Sequence, residues 1–181
     1  MKINCLMFSF MVLAQITFAQ IGFEKGYFIN NNNQRIDCLI KNYDQKNSPT
    51  EIEYKTSGNA EPQKAGIVSI KEFSIAEYSK FIRVETNIDR SSRELSKLTN
   101  KSSPEWSYEM LFLRVLIEGK ASLYLYEDQT TYRFFYSSFA DTSIRQLIYK
   151  EYLSDDDKYL LTNNGFRQQL WNDVRHENAS I

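Results

Sequence analysis

Nucleophilic catalysis would have to draw on very few side chains in this chain. The sequence holds 1 histidine, His176, and 2 cysteines, Cys5 and Cys38. His176 lies in a charged run near the end of the sequence, which is typical of an exposed surface histidine. Cys38 alternates with isoleucines on the apolar side of a strand pattern, where burial keeps a thiol unreactive. We therefore predict no catalytic Ser-His or Cys-His pair.

Carboxylates are the remaining candidates for acid–base chemistry and for metal binding. The run 155–157 consists of three aspartates that could contact Ca²⁺, but it lacks the glycine and glutamate of an EF-hand loop. We predict no zinc site, because the histidine and the cysteine stand far apart in the sequence. A glycosidase-type pair could come from the acids flanking the most apolar strand pattern: Glu105, Glu109, Glu118 and Asp128. Their spacing selects no two of them, so we predict no catalytic residue and no metal site.

Arg114 is the most unusual charge, because it interrupts the apolar run 110–117. A buried arginine needs a carboxylate or several carbonyl acceptors. We expect an ion pair with Asp128 or Glu127, or a side chain that faces outward; anion binding is the functional alternative. The 6 glycines fit neither a dinucleotide-binding nor a phosphate-binding loop, so we predict no cofactor.

Residues 1–19 have the three parts of a secretory signal peptide. Lys2 supplies a positive charge, an uncharged apolar stretch covers 6–16, and Thr17-Phe18-Ala19 places small residues before a cleavage point. The apolar stretch is too short to cross about 30 Å of hydrocarbon. We predict cleavage after Ala19 and export to the periplasm or the outer membrane.

The remaining residues, 20–181, have the size of one domain. Removing Lys2 with the signal changes the formal net charge from −1 to about −2, which gives no electrostatic case for binding nucleic acid. No later apolar run is long enough for a transmembrane helix, and Cys38 has no partner for an intrachain disulfide. Aromatic residues make up 14% of the sequence, which indicates an aromatic core or, alternatively, a surface on which ligands stack.

The first half of the chain alternates with the period of two that is typical of half-buried strands. The strand patterns cover 26–29, 36–40, 51–55, 66–75 and 81–85. Four asparagines at 30–33 predict a hairpin loop, and the polar stretch 87–104 predicts a long loop with one helical turn at 94–98.

The second half begins with a predicted antiparallel meander over 110–117, 121–126 and 132–136. Apolar residues at three- and four-residue steps then predict one helix after Asp141 and another after Asn163 or Asn164. The predicted fold is α+β, an antiparallel, curled β-sheet or partly open barrel with two C-terminal helices.

Six segments together resemble a family of exported proteins from Bacteroidota, mainly flavobacteria. The segments are Phe18-Ala19-Gln20, Phe23-Glu24-Lys25-Gly26-Tyr27-Phe28-Ile29, Cys38-Leu39-Ile40-Lys41-Asn42, Ile88-Asp89-Arg90-Ser91, Val115-Leu116-Ile117-Glu118-Gly119-Lys120-Ala121 and Gln168-Gln169-Leu170-Trp171-Asn172. In longer members this domain precedes an outer-membrane β-barrel. The resemblance implies an envelope location and transfers no catalytic residues. Similar proteins continue beyond the last segment, so a stand-alone domain and a shortened form of a barrel protein both stay open.

Three functions remain open at this point. The leading hypothesis is a non-enzymatic envelope module that contacts a protein or a glycan. The second is a carboxylate-dependent envelope hydrolase, which requires two close acids in a deep cleft. The third is a binder of a small apolar ligand, which requires an apolar cavity inside the curled sheet.

Overall fold

The computed structural model describes residues 22–43, 47–76 and 79–174. The signal peptide over 1–19, Cys5 and His176 lie outside the described residues, so their assignments stay predictions. Among the described residues, no helix has the length and apolar character needed to cross a membrane.

The described residues form a mainly β structure with one α-helix. The strands are β1 (Phe23–Asn30), β2 (Arg35–Lys41), β3 (Glu51–Lys55), β4 (Gln63–Gly66), β5 (Ile70–Ile75), β6 (Ser79–Asp89), β7 (Trp106–Ile117), β8 (Ser122–Glu127), β9 (Tyr132–Ser137), β10 (Arg145–Gln146), β11 (Lys150–Leu153) and β12 (Leu160–Asn163). A 3-10 turn covers Leu95–Lys97, and helix α1 covers Phe166–Asp173.

β1 to β10 form one antiparallel sheet in the order β10-β9-β8-β7-β6-β5-β1-β2-β3-β4, and β11 and β12 form a separate hairpin. The predicted α+β fold with a curled antiparallel sheet is confirmed, and so is the β7-β8-β9 meander. The hairpin loop between β1 and β2 forms because the Asn30 side-chain oxygen accepts hydrogen bonds from the amides of Asn32 and Gln34. Asn33 adopts a φ of 59°, which asparagine tolerates.

Two hydrophobic cores lie on opposite faces of the same sheet. Register shows the division: Arg83 of β6 stands opposite Phe112, whereas its neighbour Val84 stands opposite Leu111. Side chains alternate between faces along a strand, so Phe112 and Leu111 point in opposite directions. The first core contains Phe28, Cys38, Ile40, Ile52, Ile70, Phe73, Phe81 and Phe112. The second core contains Ile88, Leu111, Leu113, Tyr124, Tyr126 and Phe135.

The C-terminal half of the sheet curls until β10 reaches β6. The Thr86 hydroxyl donates to the Ile144 carbonyl at 2.9 Å, and the Asp89 amide donates to the Gln146 side-chain oxygen at 2.8 Å. These two bonds hold the last strand of the sheet beside the middle one, so this half is a partly open barrel around the second core.

The first of the two predicted C-terminal helices is wrong. The segment after Asp141 forms β10 and then β11, because β9 offers an edge with which Arg145 and Gln146 pair. The second helix is confirmed as α1. It begins beyond Gly165, and the Asn163 side-chain oxygen accepts the Gly165 amide at 3.0 Å.

Cys38 lies in the first core with 8% of its surface exposed. Burial raises the pKa of its thiol to about 11. The predicted inward orientation on β2 is therefore confirmed.

Candidate functional site

The predicted acidic candidates do not converge on one site. Arg90 brings two of them together, because its guanidinium donates two bonds to the Glu109 carboxylate, at 2.9 and 2.6 Å, and one to Asp128 at 2.7 Å. Glu118 instead pairs with Lys80 at 2.7 Å. The last candidate, Glu105, accepts a bond from Lys150.

The electrostatics of Glu109 and Asp128 favour their charged forms. The Arg90 hydrogen bonds lower the pKa of Glu109. Burial opposes ionisation of Asp128, but the amides of Thr130 and Thr131 together with Arg90 hold its pKa well below the ordinary value. A carboxylic acid that donates a proton near neutral pH needs a raised pKa, so these two groups are poor general acids.

We expected an ion pair between Arg114 and either Asp128 or Glu127. The prediction is wrong for Asp128, because Asp128 pairs with Arg90. Arg114 lies half-buried between Phe81 of β6 and Leu125 of β8, and within the described ranges it forms no ion pair.

The aspartates at 155–157 lie in the turn of the β11–β12 hairpin. Asp156 accepts the Ser154 hydroxyl and pairs with Lys158, as expected for a solvated loop. Across 22–43, 47–76 and 79–174, no group of three or more metal-ligating side chains is present.

A buried ion pair joins β6 to β9. Asp89 has no exposed surface, and its carboxylate accepts bonds from the Ser91 hydroxyl and from Arg133. Arg133 also donates to the carbonyls of Asp89 and Ser91. Because these donors and acceptors satisfy one another, the pair fixes the start of the loop after β6.

The larger of two notable cavities, of about 770 Å³, lies on the face of β1, β2 and β5 opposite the first core. Four of its five charged lining residues pair with one another: Lys80 pairs with Glu118, and Arg35 pairs with Asp37 and stacks over the Tyr27 ring at 3.7 Å. Lys25 is the fifth. This polar groove therefore presents no single sign of charge to a ligand.

The second cavity, of about 540 Å³, is a groove between the outer face of β8 and β9 and helix α1, and we call it the α1 groove. Its apolar and aromatic lining residues are Leu123, Tyr132, Phe134, Leu147, Tyr149, Phe166 and Leu170. Pockets of about 300–1,000 Å³ with such walls are typical of small-molecule sites. The groove is open to solvent and lies outside the barrel, whereas the third hypothesis from the sequence required an enclosed cavity inside the curled sheet.

Long-range hydrogen bonds position the helical wall of the α1 groove. The Phe166 amide donates to the Ile148 carbonyl at 2.8 Å, and the Gln169 side chain bonds Ile148 and Gln146. At the other end of α1, the Asp173 carboxylate accepts bonds from the Tyr136 hydroxyl and from Arg145. Both ends of α1 are thereby tied to β9, β10 and the segment that follows β10.

Two arginines, Arg93 and Arg133, also line the α1 groove. Arg133 already forms the buried ion pair with Asp89. Arg93 is exposed and, among the residues described, forms no ion pair. Its charge still acts on the groove: the bond to Glu151 raises the pKa of Tyr149, and Arg93 opposes that shift.

Sequence reasoning placed Phe166 and Leu170 on the apolar side of a helix but assigned no site to them. It missed Arg93, which lies in a polar loop with no periodic pattern. The sequence placed Leu123 and Phe134 on strands. The one signal for a site there was that both faces of β8 contain large side chains, so its outer face also needs a covering element or a ligand.

The chain matches no protein-family model, no curated protein and no solved structure.

Proposed function

We propose that this protein is an exported cell-envelope module that binds a small, largely apolar ligand in the α1 groove and performs no catalysis. The observation that carries the proposal is the groove itself, which combines apolar walls with a volume of about 540 Å³. Envelope location rests on the signal-peptide pattern over 1–19 and on the resemblance to exported proteins.

The state of the carboxylates supports a non-enzymatic role. Of the four acids that flank the apolar strand, Glu109 and Asp128 are the two that the Arg90 guanidinium bridges, and both have lowered pKa values. A hydrolase of the glycosidase type needs one acid that stays protonated. A hydrolytic activity that Glu109→Gln or Asp128→Asn abolishes would overturn this part of the proposal.

The binding test uses the neutral fluorophore N-phenyl-1-naphthylamine, titrated into the full chain. We expect saturable fluorescence enhancement that Leu170→Glu and Leu123→Glu, on opposite walls, each weaken by more than about tenfold, because a carboxylate in an apolar wall loses its hydration. Val68→Glu is the matched control, since it places the same charge at an exposed apolar residue of the β4–β5 turn.

Circular dichroism of each variant separates a blocked groove from a lost fold. If folded Leu170→Glu and Leu123→Glu bind the fluorophore as well as Val68→Glu does, the α1 groove is not the binding site.

The envelope location is tested separately by the intact mass and cell fraction of the native protein. We expect an envelope species that lacks residues 1–19. A full-length species that starts at Met1 and stays in the cytosol would contradict the proposed export.

A second candidate, contact with a glycan, draws on an aromatic stripe along β7. Trp106 and Tyr108 point to one face of the strand and are 48% and 67% exposed. Exposed aromatic faces are suitable surfaces for apolar sides of ligands. Envelope oligosaccharides should then shift the fluorescence of the wild type, and Trp106→Phe should remove most of the shift.

A further inference from the structure

We propose that the ligand of the α1 groove is an amphiphile with one anionic head group, and that Arg93 binds this head while the chain lies along the apolar walls. This inference rests on the proposed function and names the ligand class.

The charge of Arg93 carries the first step of the argument for an anionic head group. Arg93 lines both the α1 groove and the neighbouring cleft at the β8–β9 turn. Throughout the described ranges no carboxylate pairs with it, although Glu127, Asp128 and Glu151 line that cleft, where Asp128 is bound by Arg90. An arginine that keeps five N–H donors unused can bind a carboxylate with two parallel bonds.

The apolar walls carry the second step. Tyr132 and Phe134 contact edge to face on the sheet side, with ring centroids 5.2 Å apart. Tyr149 and Phe166 form a tilted pair on the opposite side, at 6.5 Å. Two aromatic walls that face one apolar space suit an extended hydrocarbon, which makes no hydrogen bonds of its own.

Arg133 does not compete for the head group. Its side chain is 5% exposed, and its donors already bond the Asp89 carboxylate and the carbonyls of Asp89, Ser91 and Tyr132. Arg93 is therefore the cation of the groove lining that remains available to a ligand.

The test compares decanoate with 1-decanol as competitors of N-phenyl-1-naphthylamine, in the wild type and in Arg93→Gln. We expect Arg93→Gln to weaken decanoate about fivefold and to leave 1-decanol unchanged, since only the carboxylate forms the charged contact. Lys71→Gln is the control for loss of one positive charge, because Lys71 lies in β5, away from the groove.

Chain length and salt supply two further readouts. Octanoate should bind about fourfold more weakly than nonanoate, and nonanoate about fourfold more weakly than decanoate, because each buried methylene contributes equally. Raising the ionic strength from about 0.02 M to about 0.3 M should weaken decanoate more than 1-decanol.

The outcomes distinguish this inference from the function on which it rests. Equal effects of Arg93→Gln on decanoate and 1-decanol would overturn the anionic head group and leave an apolar site. Failure of both competitors to displace the bound fluorophore would overturn the amphiphile as the ligand, whereas absence of saturable fluorophore binding would overturn the groove as a ligand site. A dimer that dissociates when decanoate is added would assign the groove to a second copy of the chain and overturn the inference.

Discussion

At the scale of single residues, Arg90 forms the ion pairs whose removal should reduce the stability of the fold most among those at the surface. It joins three parts of the chain, the end of β6, Glu109 of β7 and Asp128 after β8. Arg90→Gln should lower the free energy of unfolding at pH 7 by about 2 kcal/mol, because two partly buried carboxylates lose their counter-ion. Urea denaturation measures this change, and Lys158→Gln, at the exposed pair with Asp156, should change the free energy of unfolding by less than about 0.5 kcal/mol.

The same cluster predicts a pH dependence. The ordinary pKa values of Glu109 and Asp128 are 4.5 and 3.8, and the fold lowers both. Below about pH 4.5 the unfolded chain takes up protons that the folded chain does not, so stability falls as the pH falls. The difference in stability between the wild type and Arg90→Gln should therefore be largest at neutral pH and shrink toward about pH 3. A difference that does not change with pH would show that the two carboxylates are not the partners that matter.

Cys38 should be chemically inert in the folded protein. With a pKa of about 11 and 8% exposure, its thiolate fraction at about pH 8 is on the order of one in a thousand. Reaction with 5,5′-dithiobis(2-nitrobenzoate) should be slow in buffer and fast in guanidinium chloride. Rapid labelling of Cys38 in buffer, identified by peptide mass, would contradict its place in the first core.

At the scale of elements, β1 and β5 approach each other so closely that one position admits only glycine. A Cβ on Gly26 would collide with the Ser74 carbonyl oxygen and lie 3.2 Å from the Ile40 side chain. Gly26→Ala should lower the free energy of unfolding by about 2–3 kcal/mol, because the backbone of β1 or β5 has to shift to make room for the methyl group. Gly58→Ala, where a Cβ meets nothing within 4 Å, should stay within about 0.5 kcal/mol.

Helix α1 depends on Asp173 for its place beside β9. Asp173→Ala removes the carboxylate that accepts hydrogen bonds from Tyr136 and Arg145. It should therefore lower the free energy of unfolding by about 1–2 kcal/mol and weaken fluorophore binding in the α1 groove. Asn172→Ala is the matched control, because within the described part of the chain the Asn172 side chain bonds only Gln168 of the same helix. Equal fluorophore affinity in the two variants would show that the groove does not depend on this anchor.

The elements that could be predicted from the sequence are those with local causes. Alternation of polar and apolar residues was sufficient to predict β3, which covers the predicted residues 51–55. The four asparagines were sufficient to predict the hairpin between β1 and β2. The segment after Asp141 was assigned to a helix because Ile144, Leu147 and Ile148 share helical spacing. Pairing of Arg145 with Tyr136 and of Gln146 with Phe135 determines the conformation of that segment instead, and the spacing of apolar residues carries no information about such pairing.

The candidate site could be predicted less well, for the same reason. The α1 groove takes walls from β8–β9, from the chain after β10 and from α1, which are separated in sequence. Arg93 reaches the groove only because the loop after β6 is fixed by the Asp89–Arg133 pair. No periodicity or motif around Arg93 indicates such a position.

At the scale of the whole molecule, one sheet carries two cores, and β6 and β7 contribute to both. We expect the two halves to unfold together, since neither core keeps its wall without these strands. Ile40→Ala in the first core and Leu113→Ala in the second should each lower the free energy of unfolding by about 2–4 kcal/mol. Both should lower the urea midpoint and leave the m-value unchanged.

Two probes test this coupling, because both tryptophans, Trp106 and Trp171, lie in the C-terminal half. Fluorescence therefore follows that half, whereas far-ultraviolet circular dichroism follows the whole sheet. Transitions that coincide in Ile40→Ala support one cooperative unit. An earlier transition by circular dichroism alone would mean that the first core unfolds independently.

The shared pair of central strands also has a consequence for the order of folding. Neither core can close until β6 and β7 have met, and their meeting requires closure of the loop 90–105, whose entropic cost grows slowly with length. A nucleus at β6–β7 would then precede the wrapping of either half. Substitutions there should slow refolding, whereas substitutions in β3 or β4, at the far edge, should mainly accelerate unfolding.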